Sequence, residues 1–98
     1  MVIDLESSRW LAYHLAYLKD KNANVAKETS IAKYHNTEAL RRAATASVEL
    51  HGAYGLSDEY PLEMIYRDCM APIIYGGTAH VHKLILGRIE TGIDAVSR

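Results

Sequence analysis

Apolar residues return with a helical beat along the first fifth of the chain. Leu11, Leu15 and Leu18 stand at i, i+4 and i+7, with Ala12 and Ala16 beside them, and Trp10, Tyr13 and Tyr17 widen the stripe. That spacing predicts an amphipathic helix from about Ile3 to Lys19, with Asp4, Ser7 or Ser8 placed to cap or enter its first turn. The polar run "KDKNAN" stops it near Asp20.

A second helical pattern runs from about Asn24 to His51 without a glycine or proline. Ala, Glu, Lys, Arg and Leu fill it, all strong helix formers, and at ~1.5 Å per residue it spans roughly 40 Å. Ile31 and His35, then Leu40, Ala43 or Ala44, Ser47 and Leu50, keep the period. Its predicted buried face is built from Ala32, Ala39, Ala43 and Ala46, small enough to let a neighbouring helix approach closely. Gly52 and Gly55 end it, as glycines end helices elsewhere.

"SDEYP" then reads as a turn, with Pro61 as first residue of a short helix through "LEMIYRDC". Pro72 separates that helix from "IIYGGT", and Val81, Leu84, Ile85 and Arg88 set up a last helix to roughly Val96. No β-alternation, repeat or low-complexity run intervenes. The expectation is all-α: three substantial helices and one short one, joined as an up-down antiparallel bundle in a single domain over residues 1–98. Three such helices cannot cover all the apolar surface they carry. A fourth helix, from another segment or another chain, is expected to fill the open groove.

Composition narrows the function classes. The net charge of −1 over 98 residues offers no concentrated basic face for nucleic acid. No apolar run approaches the ~20 residues of a membrane span, and "MVIDLESSRW" lacks the basic flank and apolar core of a signal peptide. A single cysteine, Cys69, cannot form an internal disulfide and fits a reducing compartment. These features point to a cytoplasmic protein, or to an organelle matrix if a targeting segment lies elsewhere.

Candidate chemistry is sparse. No Glu is followed by His three positions later, so a bundle di-metal site is not expected. His80 and His82, two apart, diverge by ~200° around a helix. Cys69 beside Arg67 and Asp68 reads as a small buried residue with no partner base. Arg67 and Asp68 read either as an ion pair fixing a turn or as a ligand-facing arginine. "YGGTAH", Tyr75 to His80, is the one stretch with a ligand-binding alternative. Glycines there let a ligand approach free N–H groups at a helix start, and Thr78 can cap the helix or bond a ligand. On these residues alone, both readings stand.

In series, the motifs are more specific than any one of them. "AK" in the long helix, "HGxxG" at its end, "EYP", "YRD" and the glycine–threonine turn before the last helix resemble the C-terminal helical domain of the flavin-dependent acyl-CoA dehydrogenases. Their order and spacing match over nearly the whole chain. The resemblance implies an enzyme with an N-terminal helical domain, a β-barrel and a C-terminal four-helix bundle, of which this chain holds the last three main helices and lacks the first. It implies FAD as cofactor and an acyl-CoA substrate, oxidised at Cα–Cβ while a carboxylate takes the Cα proton. Many relatives carry that base as a Glu directly before the glycine–threonine pair. Here the position is Gly76, and no residue of this chain is expected to be the base; some branches place it on the first bundle helix instead.

By the same resemblance, Tyr75, Gly76 and Gly77 are expected to line the substrate pocket. Glu49 (usually Gln), Gly52, Ala53 (usually a second Gly), Thr78 and His80 (usually Gln) are expected to face FAD. Two functions follow as expectations: a segment of a larger or split acyl-CoA dehydrogenase-like enzyme, or a non-catalytic helical oligomerisation module derived from one. The expected partners are a second copy of the chain or a companion chain of the same family.

Overall fold

The protein's fold is given by a computed structural model that describes residues 1–96. Helix α1 spans Val2–Asp20, α2 Ala26–His51, α3 Leu62–Asp68, α4 Ala71–Ile74 and α5 Ala79–Thr91, with a 3-10 segment Gly52–Leu56 after α2. No strand occurs among the described residues.

α2 is the spine. Asn24 Oδ1 accepts the Ala26 N–H at 3.2 Å, closing the turn into α2, and Gly52 ends the helix with φ 57°. Arg42 pairs with Asp4, and Asn36 donates to the Ser8 carbonyl, so α1 runs antiparallel along one side. On another side, His82 meets Ser30 while Lys27 pairs with Glu90, so α5 is antiparallel too. α3 and α4 carry the chain back along α2 between these ends, and both pack on it. The third leg of the up-down bundle is thus α3, α4 and α5 in sequence.

Two boundaries depart from the sequence expectation. α5 stops at Thr91, not near Val96, because Gly92 takes the left-handed conformation (φ 72°) and returns its N–H to the Arg88 carbonyl. Pro72 does not separate elements but sits in the first turn of α4, where its missing N–H has no intrahelical partner to lose. Three long helices are therefore joined by two short ones, not one.

The buried face of α2 is small-residue as expected, with a shifted membership. Ala32, Ala39 and Ala44 are buried together with Ser30 and Thr37, whereas Ala43 and Ala46 are only half-buried. No large side chain is fully buried anywhere among the described residues. On α5 the inward face is phased on His82, Ile85 and Leu86, and Val81 and Leu84 lean outward.

The consequence is an open plate. Its extents are 48 × 33 × 19 Å, and the radius of gyration of 16.2 Å exceeds the ~13 Å of a compact chain of this length. The accessible surface of 7208 Å² likewise exceeds the ~5,600 Å² typical of this mass. Trp10, Tyr17, Leu50 and Ile74 stand well exposed, which matches the uncovered apolar surface inferred from the helical pattern.

The close approach of the 3-10 segment to α2 depends on Gly55. A Cβ there would lie 2.5 Å from the Val48 carbonyl oxygen, a backbone atom that cannot swing away. Gly55→Ala is expected to destabilise the fold by about 2 kcal/mol through overpacking, read as a lowered urea midpoint with an unchanged slope.

Candidate functional site

The turn between α4 and α5 is built from backbone first. Tyr75 leaves α4 in an extended conformation, and Gly76 and Gly77 then take φ 68° and 93°. Both values lie where side chains are strained and glycine is not. Thr78 returns to extended geometry as N-cap of α5, its Oγ1 accepting the Val81 N–H at 3.2 Å. The hydroxyl proton of Thr78 stays available to donate outward.

Two side chains tie this turn to α2. Lys33 donates to the carbonyls of Pro72 and Tyr75, satisfying acceptors freed at the end of α4. Its ammonium also lies 5.1 Å from the centre of the Tyr75 ring. His82, buried on α5, places Nε2 3.1 Å from the Gly76 carbonyl and Nδ1 3.1 Å from Ser30 Oγ. A carbonyl only accepts, so Nε2 is the donor to Gly76, which leaves Nδ1 to take the Ser30 hydroxyl proton.

These ties orient the peptides. In a planar trans peptide the N–H points opposite to the C=O, and the described residues contain no cis bond. With the Tyr75 carbonyl held toward Lys33 and the Gly76 carbonyl toward His82, the N–H groups of Gly76 and Gly77 both face away from the tethers. Successive N–H groups held by their own peptide planes can donate to an anion or to a polarised carbonyl oxygen.

The residues expected to form a site fall into two groups. Tyr75, Gly76, Gly77 and Thr78 come together in the turn, and His80 follows on the first turn of α5. Thr78 and His80 line a groove of about 420 Å³ with Tyr34, Glu38 and Lys83. Glu49, Gly52 and Ala53 lie at the other end of α2. Fifteen residues separate Tyr34 from Glu49, ~22 Å of helix. Glu49 lines a separate groove with Gly55, Leu56 and Tyr66, and Gly52 and Ala53 are exposed. A single extended ligand, or two ligands, could meet both groups; a compact one could not.

Other candidates resolve simply. Arg67 pairs with Glu63 at 2.7 Å, one helical turn back, not with Asp68. Cys69 is buried, its thiol donates to the Tyr66 carbonyl, and burial pushes its pKa up from the ordinary value. No group of three metal-ligating side chains occurs among the described residues, and no described helix is long and apolar enough to cross a membrane.

Lys33, Ser30 and His82 were not singled out by site reasoning from the sequence. One signal was present. His82, Ile85, Leu86 and Ile89 stand at i, i+3, i+4 and i+7, so His82 occupies a core register on α5.

The profile described as "Acyl-CoA dehydrogenase, C-terminal domain" matches residues 1–90. The chain belongs to the acyl-CoA dehydrogenase family. It is 37% identical over 86 residues to a subunit of the caffeyl-CoA reductase–Etf complex of Acetobacterium woodii, covering 88% of this chain and 23% of that one. An acyl-CoA dehydrogenase of Bacillus subtilis is 36% identical over 92 residues, covering 94% of this chain and 24% of the relative. Among solved structures, glutaryl-CoA dehydrogenase from Mycobacterium smegmatis superposes with a TM-score of 0.92 at 27% identity, over 97% of this chain and 24% of that one. The chain thus spans about a quarter of the length of these acyl-CoA dehydrogenase relatives, and its helices match their C-terminal domain.

The two turn glycines are expected to respond differently to substitution. A Cβ on Gly77 would stand 2.8 Å from His82 Nε2, whereas one on Gly76 meets only the Lys33 stem at 3.6 Å or beyond. Gly76→Ala is expected to cost about 1 kcal/mol for its left-handed φ alone. Gly77→Ala is expected to cost about 2–3 kcal/mol by adding a collision, both read from urea unfolding. The Cys69 thiol is expected to react slowly with a disulfide reagent in the native chain at neutral pH. In urea, where burial is lost, it should react at the rate of a free thiol.

Proposed function

We propose that this chain is the C-terminal helical wall of the acyl-CoA pocket in an acyl-CoA dehydrogenase-type flavoprotein, acting as part of a larger or split enzyme and inactive alone. The observation that carries it is the Tyr75–Thr78 turn, whose two glycine N–H groups point away from the Lys33 and His82 tethers in a chain that belongs to this family. Such donors suit the carbonyl oxygen of a thioester, where charge develops when the Cα proton leaves. Tyr75, Gly76 and Gly77 form this substrate-facing edge.

FAD fits one end of the chain better than the other. When bound, it supplies hydride acceptance from the substrate's Cβ. Thr78 offers a free hydroxyl proton to a flavin acceptor, and His80 stands beside it on the groove. Glu49 presents a carboxylate where an anionic cofactor would lie, so Glu49, Gly52 and Ala53 are a poorer FAD-facing surface. Gly76 has no side chain to take a proton, so this reading puts the base on a companion segment, and the apolar surface left open on the plate is where that segment, or a second copy of the chain, docks. A buried free thiol at Cys69 suits the reducing cytoplasm.

A second reading is a helical oligomerisation module without catalysis. Gly76 and Glu49 favour it, since both replace the residue types the chemistry uses. The two readings separate in one purification, with and without the neighbouring coding region, following flavin absorbance across a sizing column. Flavin co-eluting only when a companion chain is present, together with acyl-CoA-dependent bleaching, is the expected result. A colourless, stable homo-oligomer in both preparations would establish the module.

A further inference from the structure

The turn that faces the ligand does not hold itself. Both of its glycines lie in left-handed φ, and α4, which precedes it, is a single turn long. Hydrogen bonds across the chain hold it instead. His82 on α5 reaches the Gly76 carbonyl on one side and Ser30 on α2 on the other. Ser30 and His82 are both buried, at 3% and 7% exposure, and each ring nitrogen of His82 has a partner. The Ser30–His82 pair spans 52 residues of sequence, so it locks three separate segments together.

We propose that His82, oriented by Ser30, is a positioning residue for the Gly76–Gly77 peptide. The Nε2–H of His82 fixes the Gly76 carbonyl on the core side, and planarity then directs the Gly77 N–H to the ligand side. Gly77 is glycine for the same reason, since its missing Cβ leaves the space that the His82 ring occupies. Lys33 makes the matching tie one peptide earlier, at the Tyr75 carbonyl. The role deepens the reading of this turn as the thioester-facing edge and rests on it for its target. The geometry of the tie itself does not.

The test has two arms, so that the two claims can fail separately. In the 15N-labelled chain, the wild-type His82 ring is expected to show a protonated Nε2 and an unprotonated Nδ1. His82→Leu is expected to shift and broaden the Gly76 and Gly77 amide resonances while those of α1 stay in place. His82→Gln, which keeps an amide donor, is expected to bring them back toward wild type. Ser30→Ala, which leaves the ring in place, is expected to move the Nδ1 resonance and broaden the same two amides less. Gly76 and Gly77 amides unchanged in His82→Leu, or a wild-type ring protonated at Nδ1 alone, would overturn the proposal. If His82→Leu fails to fold, Ser30→Ala and His82→Gln decide it by the same resonances.

In the flavin-loaded complex, His82→Leu is expected to lower kcat about tenfold with KM for acyl-CoA little changed, the loss of roughly one well-made hydrogen bond where charge develops, with His82→Gln recovering most of it. An unchanged kcat with displaced amides would overturn the link from turn to substrate. A wild-type complex with no acyl-CoA turnover would overturn the proposed function, and the resonances would still decide the role of His82.

Discussion

All the principal packing in this fold runs through one face-sharing helix, and α2 can serve that many neighbours only because its inward positions are small. Ala32, Ala39 and Ala44, with Ser30 and Thr37, let α1 on one side and the α3–α4–α5 leg on the other approach the same spine. Small inward residues bring backbones close but remove little apolar area from water. At roughly 25 cal/mol per Å², burying alanines contributes far less than burying leucines. The absence of any fully buried large side chain among the described residues and the excess accessible surface are two views of that choice.

A spine with so little apolar stabilisation leaves more of the fold to polar ties. Asn36 reaches the Ser8 carbonyl, Lys33 reaches Pro72 and Tyr75, and His82 joins Ser30 to Gly76. Each such bond adds only about 1 kcal/mol net. All but the exposed Lys33–Tyr75 bond are at least part-buried, and those cost more when half-broken than when whole, since the abandoned partner stays desolvated. The ties therefore contribute uniqueness of geometry more than bulk stability. Two of the three residues that make them, Lys33 and His82, tie the turn between α4 and α5.

The sequence revealed the helices and concealed the ties, for different reasons. α1 and α2 announce themselves by period, by good helix formers and by the absence of glycine over 26 residues. The end of α5 was misjudged although Gly92 stood in view. A glycine near a helix end reads equally as an interior weakness or as a left-handed cap, and only the returned bond to Arg88 decides. His82 enters the sequence reading only beside His80, as a metal pair that diverges around the helix, so its place in the core register carries no weight there. Its partner Ser30 lies 52 residues away, a pairing no local pattern encodes. The turn's family resemblance was legible in "YGGT". What orients its peptides was not, because that depends on residues from α2 and α5 meeting in space.

The two glycines of that turn are identical in sequence and different in constraint. Gly77 is required by packing, since the His82 ring fills the volume a Cβ would need. Gly76 is less crowded: a Cβ there would meet Lys33 Cε at 3.6 Å and its Nζ at 3.8 Å, both ordinary contact distances. A Cβ at Gly76 thus faces a backbone cost of about 1–2 kcal/mol and no close collision. The constraint at residue 76 is therefore conformational, and at residue 77 it is conformational and steric together, because the His82 ring that ties the turn occupies the space beside it.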